Sequence, residues 1–143
     1  MTNESDLAKL YVEIVPQTMH GIRRHMREAK GKLTIAQMRI MANLYRGLSS
    51  TSELAERHGV SMPAMSKMVD GLVCRELIER ETSSKDRRQI HLTLSKLGMK
   101  TYLEIRKITL GQISKELASL NPNEKEELKR GLQIMEKVNR KTE

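Results

Sequence analysis

At 143 residues the chain is long enough for one domain with a core and short for two. Lysine and arginine total 26 against 18 aspartates and glutamates, a formal net charge of +8 with an isoelectric point near 9.8, which favours a polyanionic partner. A single cysteine, Cys74, excludes an intrachain disulfide framework; with no signal-peptide pattern and no apolar run near the roughly 18 residues of a membrane helix, a soluble cytoplasmic protein is expected.

Residues 5–30 show amphipathic helical spacing, with Leu7, Leu10, Tyr11, Ile14, Thr18, Ile22 and Met26 on one side. Pro16 interrupts the pattern, so either two helices meet there or one is kinked. The basic run Arg23, Arg24, Arg27, Lys30, Lys32 reads first as a solvated face and second as a surface for DNA backbone or an anionic effector. Gly31 ends the helix. Thr34 with Gln37 makes a capping box and opens a helix to Arg46, whose Met38, Met41, Ala42 and Tyr45 face the core; Gly47 stops it.

Between Ser50 and Val73 two short amphipathic helices meet across the corner His58-Gly59-Val60-Ser61. Ser50 with Glu53 forms a capping box, and Leu54 and Ala55 turn inward, Ala55 being small enough for a second helix to cross close by. Gly59 can take the positive φ that ends a helix sharply, and Val60 is expected to plug the bend. Ser61 caps the next helix, with Pro63 in its first turn, where a missing N–H costs nothing. In that helix Met65, Met68, Val69, Leu72 and Val73 form the buried stripe, which leaves Met62, Pro63, Ala64, Ser66, Lys67 and Asp70 outward. Small residues, hydroxyls and one cation on such a face can approach base edges in a major groove; the plainer reading is a helical hairpin with a solvated face.

Two strand-like runs follow, Leu77 to Thr82 and Ile90 to Leu94, with Ile90, Leu92 and Leu94 sharing a face. They frame a seven-residue tip, SSKDRRQ, in which Lys85, Arg87 and Arg88 surround Asp86. A helix-turn-helix with a basic hairpin after it reads as a winged helix, the helix for the major groove and the wing for phosphates or an adjacent minor groove. Segment charges temper a purely electrostatic reading: residues 1–45, 46–95 and 96–143 carry +3, +1 and +4, so position within the hairpin matters more than bulk charge. Ser95 then caps a long helix to about Ser119, with Leu97, Leu103, Ile105, Ile108, Ile113 and Leu117 among its apolar positions. Asn121-Pro122-Asn123-Glu124 opens a last helix to about Asn139, with Leu128, Leu132, Met135 and Val138.

SELAERHGVS, PAMSKMVDGLV running into REL-IER, DRR at the wing and LTLSKLG after it resemble, in order and spacing, the multiple-antibiotic-resistance regulator (MarR) and SlyA-like family from about Leu33 to Gly98. The resemblance implies a mainly α fold with a small β-hairpin wing. It also implies one domain over 1–143, in which 33–95 bind DNA and 1–32 with 96–143 are dimerisation helices. It further implies that Arg88 enters the minor groove, held by Asp86, that Pro63, Ala64 and Lys67 contact bases, and that Ser61, Thr51 and Ser52 lie nearer phosphates.

The outer helices look too apolar for a small monomer, which predicts a two-fold dimer, two reading helices about 34 Å apart and a palindromic operator. A catalytic role finds no support: no Gly-rich phosphate loop, HExxH, GxSxG or paired-cysteine pattern occurs. His20, His25, His58 and His91 are scattered, and His20 and His25, five apart, do not share a helical face, so no metal or other cofactor is expected. His58 is expected to top the corner and His91 to lie on the outer face of a strand. Cys74 reads as a small residue packed at a helix end, with a redox-responsive role as the alternative. The resemblance implies a small-molecule effector; without Phe or Trp an aromatic cage is hard to build, and ten methionines offer an adaptable lining instead. The expected function is a homodimeric repressor of transcription. The competing reading is a winged-helix module that meets an acidic protein and reads no bases.

Overall fold

The computed structural model describes residues 1–29, 33–82 and 90–141. The chain divides into two compact units, Met1–Thr109 and Leu110–Glu143. In chain order the described elements are α1 (Glu4–Ala29), α2 (Ile35–Tyr45), α3 (Thr51–His58), α4 (Met62–Cys74), β1 (Ile78–Thr82), β2 (Ile90–Leu94), α5 (Lys96–Leu117) and α6 (Pro122–Arg140). Among the described residues no helix is long and apolar enough to cross a membrane.

In the first unit the core is built mainly from α2, α3, α4 and the hairpin. Met38, Ile40, Met41, Leu54, Met65, Val69, Leu72, Ile78 and Leu92 are fully buried, with Tyr102 and Ile105 of α5 joining them. Each large side chain taken from water contributes about 1.5–3 kcal/mol before chain entropy is set against it. The Thr34–Gln37 box forms in both directions, at 3.1 Å into the Thr34 hydroxyl and 3.0 Å into the Gln37 side chain.

α1 is a single helix through Pro16 rather than two, although Pro16 offers no N–H to the carbonyl four residues back. Its apolar residues Leu7, Leu10, Tyr11 and Ile14 are exposed, while His25 near its end is buried.

Tyr45, expected inside, is 42% exposed; its ring tilts against Tyr102 at 4.9 Å, with the Arg106 guanidinium 5.9 Å above it. Ile40, Asn43 and Leu44 are buried instead, so α2 is covered on more than one side and its burial has no single-face period.

β1 and β2 pair antiparallel, Ile78 opposite Leu94, Arg80 opposite Leu92 and Thr82 opposite Ile90. Of the face expected to be apolar, Leu92 is buried and Leu94 half-buried, but Ile90 is exposed, because it pairs with Thr82 at the far end of the ladder from the root. A short third partner stiffens the sheet: Ser50 bridges to His91, and the Leu92 N–H donates to the Ser49 carbonyl at 2.8 Å.

In the second unit α6 starts on Asn121, whose side chain accepts the Glu124 N–H at 2.9 Å while the Glu124 carboxylate accepts the Asn121 N–H at 2.8 Å. No α6 residue is buried, and Leu128, Leu132, Ile134 and Val138 are all exposed.

Candidate nucleic-acid interface

The corner between α3 and α4 is made by backbone geometry. Gly59 sits at φ +64, its N–H reaches the Glu56 carbonyl, and the Val60 N–H reaches the Ala55 carbonyl, each at 3.1 Å. That pair of bonds closes the helix in a left-handed turn that only glycine adopts without strain. Val60 contributes its amide and not a plug: its side chain is 36% exposed, on the rim of the bend. Ser61 restarts the chain by accepting the Ala64 N–H at 3.3 Å, with Pro63 in the first turn. Of the box expected at Ser50, the structure forms one half: Ser50 Oγ accepts the Glu53 N–H at 3.3 Å and bonds the Ser52 hydroxyl at 2.6 Å.

His58, the last residue of α3, ties the corner to α2. The Asn43 side-chain amide can only donate from Nδ2, so the His58 Nε2 atom 3.2 Å away accepts and the ring is neutral there. Burial, and then the positive charge of Arg39, hold the His58 pKa below its ordinary value.

α4 is two-faced as its sequence predicts. Met65, Val69 and Leu72 are buried; Met62, Pro63, Ala64, Lys67 and Asp70 are exposed, and Ser66 is half-buried. Thr51 is half-buried and Ser52 exposed at the start of α3. The structure thus places Ser61, Met62, Pro63, Ala64 and Lys67 together on the exposed first turns of α4. Lys85, Asp86, Arg87 and Arg88, with the expected Asp86–Arg88 pair, lie outside the described residues, as do Lys30 and Lys32. Arg23, Arg24 and Arg27 are exposed near the end of α1.

Two further contacts, like the one between Asn43 and His58, were not legible in the sequence. Asp70, on the outward face of α4, is held by the Arg80 guanidinium from β1, so the acid on the helix face is occupied by the hairpin. The His91 ring, on β2, lies 3.4 Å from the Ser49 hydroxyl and ties the hairpin to the segment before α3. Cys74 is exposed, contrary to the packed position expected for it: two residues beyond Leu72, a helix has turned by about 200° away from the buried stripe. Among the described residues no three histidines, cysteines or carboxylates gather as a metal site.

A helix-corner-helix followed by an antiparallel hairpin that is itself braced to the segment before the first helix defines a winged helix-turn-helix. The model of the MarR family matches residues 33–90, from just before α2 to the first residue of β2. Over those residues this winged helix-turn-helix is similar to that of the MarR family. Over 93 residues the chain is 36% identical to the HTH-type transcriptional repressor MdtR of Bacillus subtilis (strain 168). That match takes in 64% of this chain and 56% of the repressor, little more than half its length. The fold is shared with RV1404 from Mycobacterium tuberculosis (TM-score 0.82, 22% identity, 97% of this chain and 96% of that one). It is shared also with a single-substitution mutant of MepR from S. aureus bound to an oligodeoxyribonucleotide (TM-score 0.64, 20% identity, 90% and 96%).

Proposed function

We propose that the chain is a sequence-specific DNA-binding transcriptional regulator, a homodimeric repressor of a palindromic operator, and not an enzyme. The observation that carries this is the exposed start of α4: Pro63, Ala64 and Lys67 stand clear of the core beside Ser61 and Met62, on a helix whose opposite face is locked into it. A helix with a small-residue surface of this kind can lie in a major groove with its N-terminal residues at base edges. Ser66 adds a hydroxyl to that face, Thr51, Ser52 and Ser61 supply hydroxyls for the flanking phosphates, and Lys85, Arg87 and Arg88, with Asp86 next to them in sequence, supply wing contacts from the segment between β1 and β2. MdtR, named as a repressor, and MepR, solved with an oligodeoxyribonucleotide, support the reading.

The dimer is supported by the exposed apolar residues of α1 and α6, which need cover that a single copy does not give them. In this reading 1–143 act as one MarR-like domain, 33–95 reading DNA and 1–32 with 96–143 joining two copies, and a small-molecule effector releases the operator.

The test is selection of bound duplexes from a random-sequence pool, then titration of the winner at two salt concentrations. An enriched palindrome with half-sites about one turn apart is expected. Enrichment of nothing, with binding that vanishes uniformly as salt rises, would leave only a basic surface and refute base readout.

A further inference from the structure

Three hydrogen bonds and one close backbone approach meet at the root of the hairpin. The Ser95 hydroxyl donates to the Glu76 carbonyl at 2.5 Å and accepts the Gly98 N–H at 2.9 Å, while the Ser95 N–H donates to the Leu77 carbonyl at 3.1 Å. Gly98 lies so near the same peptide that a Cβ there would stand 1.9 Å from the Leu77 carbonyl oxygen. Ser95 itself is buried.

Glu76 lies in the turn that closes α4, two residues past Cys74. It takes φ +59, its N–H bonds the Val73 carbonyl at 2.9 Å, and the next N–H, of Leu77, reaches back to Leu72 at 3.0 Å. The Ser95 hydroxyl therefore links the turn after α4 to the start of α5, while the Ser95 N–H holds the entry to β1. Capping α5 needs only an acceptor, which an aspartate would supply equally well; holding the Glu76 carbonyl needs a proton as well.

We infer that Ser95 is a positioning residue that fixes the angle at which α5 leaves the α4–hairpin unit. Within the same unit α5 runs from Lys96 to Thr109, about 20 Å of helix, so a small angular freedom at its start is amplified along its length. The inference rests on the dimeric DNA-reading function proposed above. In a two-fold reader joined through the outer helices, this angle sets the separation of the two α4 helices and hence the half-site spacing the protein accepts. Without the clasp, each α4 still reads its own bases and the pair tolerates more spacings.

The experiment uses the full chain and the selected palindrome with its spacer unchanged, lengthened by one base pair or shortened by one. Wild type is expected to prefer one spacer. Ser95→Ala is expected to lose at least about fivefold of that discrimination, the lower end of measured site-to-site couplings, with base preferences inside each half-site unchanged. Ser95→Thr, which keeps the hydroxyl, is expected to restore it. If Ser95→Ala does not fold, Ser95→Asp goes on the same panel, since it retains the cap and lacks the proton for Glu76. Wild-type spacer preference in the folded variant overturns the inference whatever happens to Tm. Failure of wild type itself to select any palindrome overturns the DNA-reading function and this inference together, and is told apart because the defect precedes any substitution.

Discussion

The winged-helix core and the outer helices are both rich in apolar residues, yet they treat them in opposite ways. Between Leu33 and Ile105 the chain closes a buried apolar core, and Leu54, Met65 and Leu72 lose all contact with solvent. Along α1 and α6, Leu7, Leu10, Leu128 and Leu132 remain exposed at helical spacing. Caps of similar quality open helices in both regions, at Thr34, Ser61 and Asn121, so the difference does not lie in helix formation. Local capping settles where a helix starts; the cover for its apolar side is a separate requirement, met inside the core by the same copy and, in the proposed dimer, by a second one.

Glycine substitutions break this comparison most sharply. At Gly98 the missing Cβ is replaced by backbone contact with Leu77, so Gly98→Ala forces one main chain away from another and is expected to destabilise by about 3 kcal/mol or more, a fall in Tm of roughly 10 °C by calorimetry. At Gly131 in α6 nothing stands within 4 Å of an added Cβ, and Gly131→Ala is expected instead to stabilise by about 0.5–1 kcal/mol through helix propensity. Equal and large losses at both sites would mean that α6 is packed as tightly as the core and would undo the contrast.

Next in size is the outer surface itself. Leu132→Asp should leave the winged-helix core folded while weakening self-association by about 2 kcal/mol, roughly thirtyfold, as loss of a central interface residue does. Light scattering at micromolar concentration checks it. A wild-type protein that is already monomeric there would remove the dimer and force another account of the exposed leucines.

Much of the core is legible in the sequence because its signals are local. The Gly59 turn, the Ser61 and Asn121 caps and the inward stripe of Met65, Val69 and Leu72 each follow from residues a few positions apart. The same spacing puts Pro63, Ala64 and Lys67 on the exposed face. The failures share a different cause. Residue type suggests burial for Tyr45 and Val60, but their exposure depends on which neighbours arrive from elsewhere in the chain, whereas for Cys74 residue type misleads where helical phase already points away from the buried stripe. Asp70–Arg80, Asn43–His58 and Ser95–Glu76 join residues 10, 15 and 19 positions apart on different elements, and no periodicity announces such pairs.

Glu76 shows the limit of local rules within the well-packed region. It lies in the turn that closes α4, in the left-handed conformation at φ +59, a position glycine would fill without steric cost. Glu76→Gly is therefore expected to stabilise by about 1 kcal/mol, the relief of strain exceeding the added freedom of the unfolded chain. Urea unfolding at neutral pH measures it, and a net loss would mean that the glutamate side chain contributes more than its backbone costs.

The smallest effect concerns the bond between α2 and α3. His58 is neutral while it accepts from Asn43, and burial, followed by Arg39, lowers its folded pKa below the ordinary 6.5. Above that ordinary value the ring is neutral in both folded and unfolded chains, so the contribution is fully present. As pH falls from 6.5 through the lowered folded value, the unfolded chain takes up the proton first and stability is lost. Urea midpoints recorded from about pH 8 down to about pH 5 should therefore decline in wild type. His58→Gln, which keeps polar atoms in place and cannot titrate, should decline less over the same interval. Carboxylates add their own acid dependence, but they add it to both proteins, so it is the difference between the two slopes that reports the histidine. Parallel slopes would mean that His58 carries its proton at no cost, and the neutral acceptor at the corner would have to be given up.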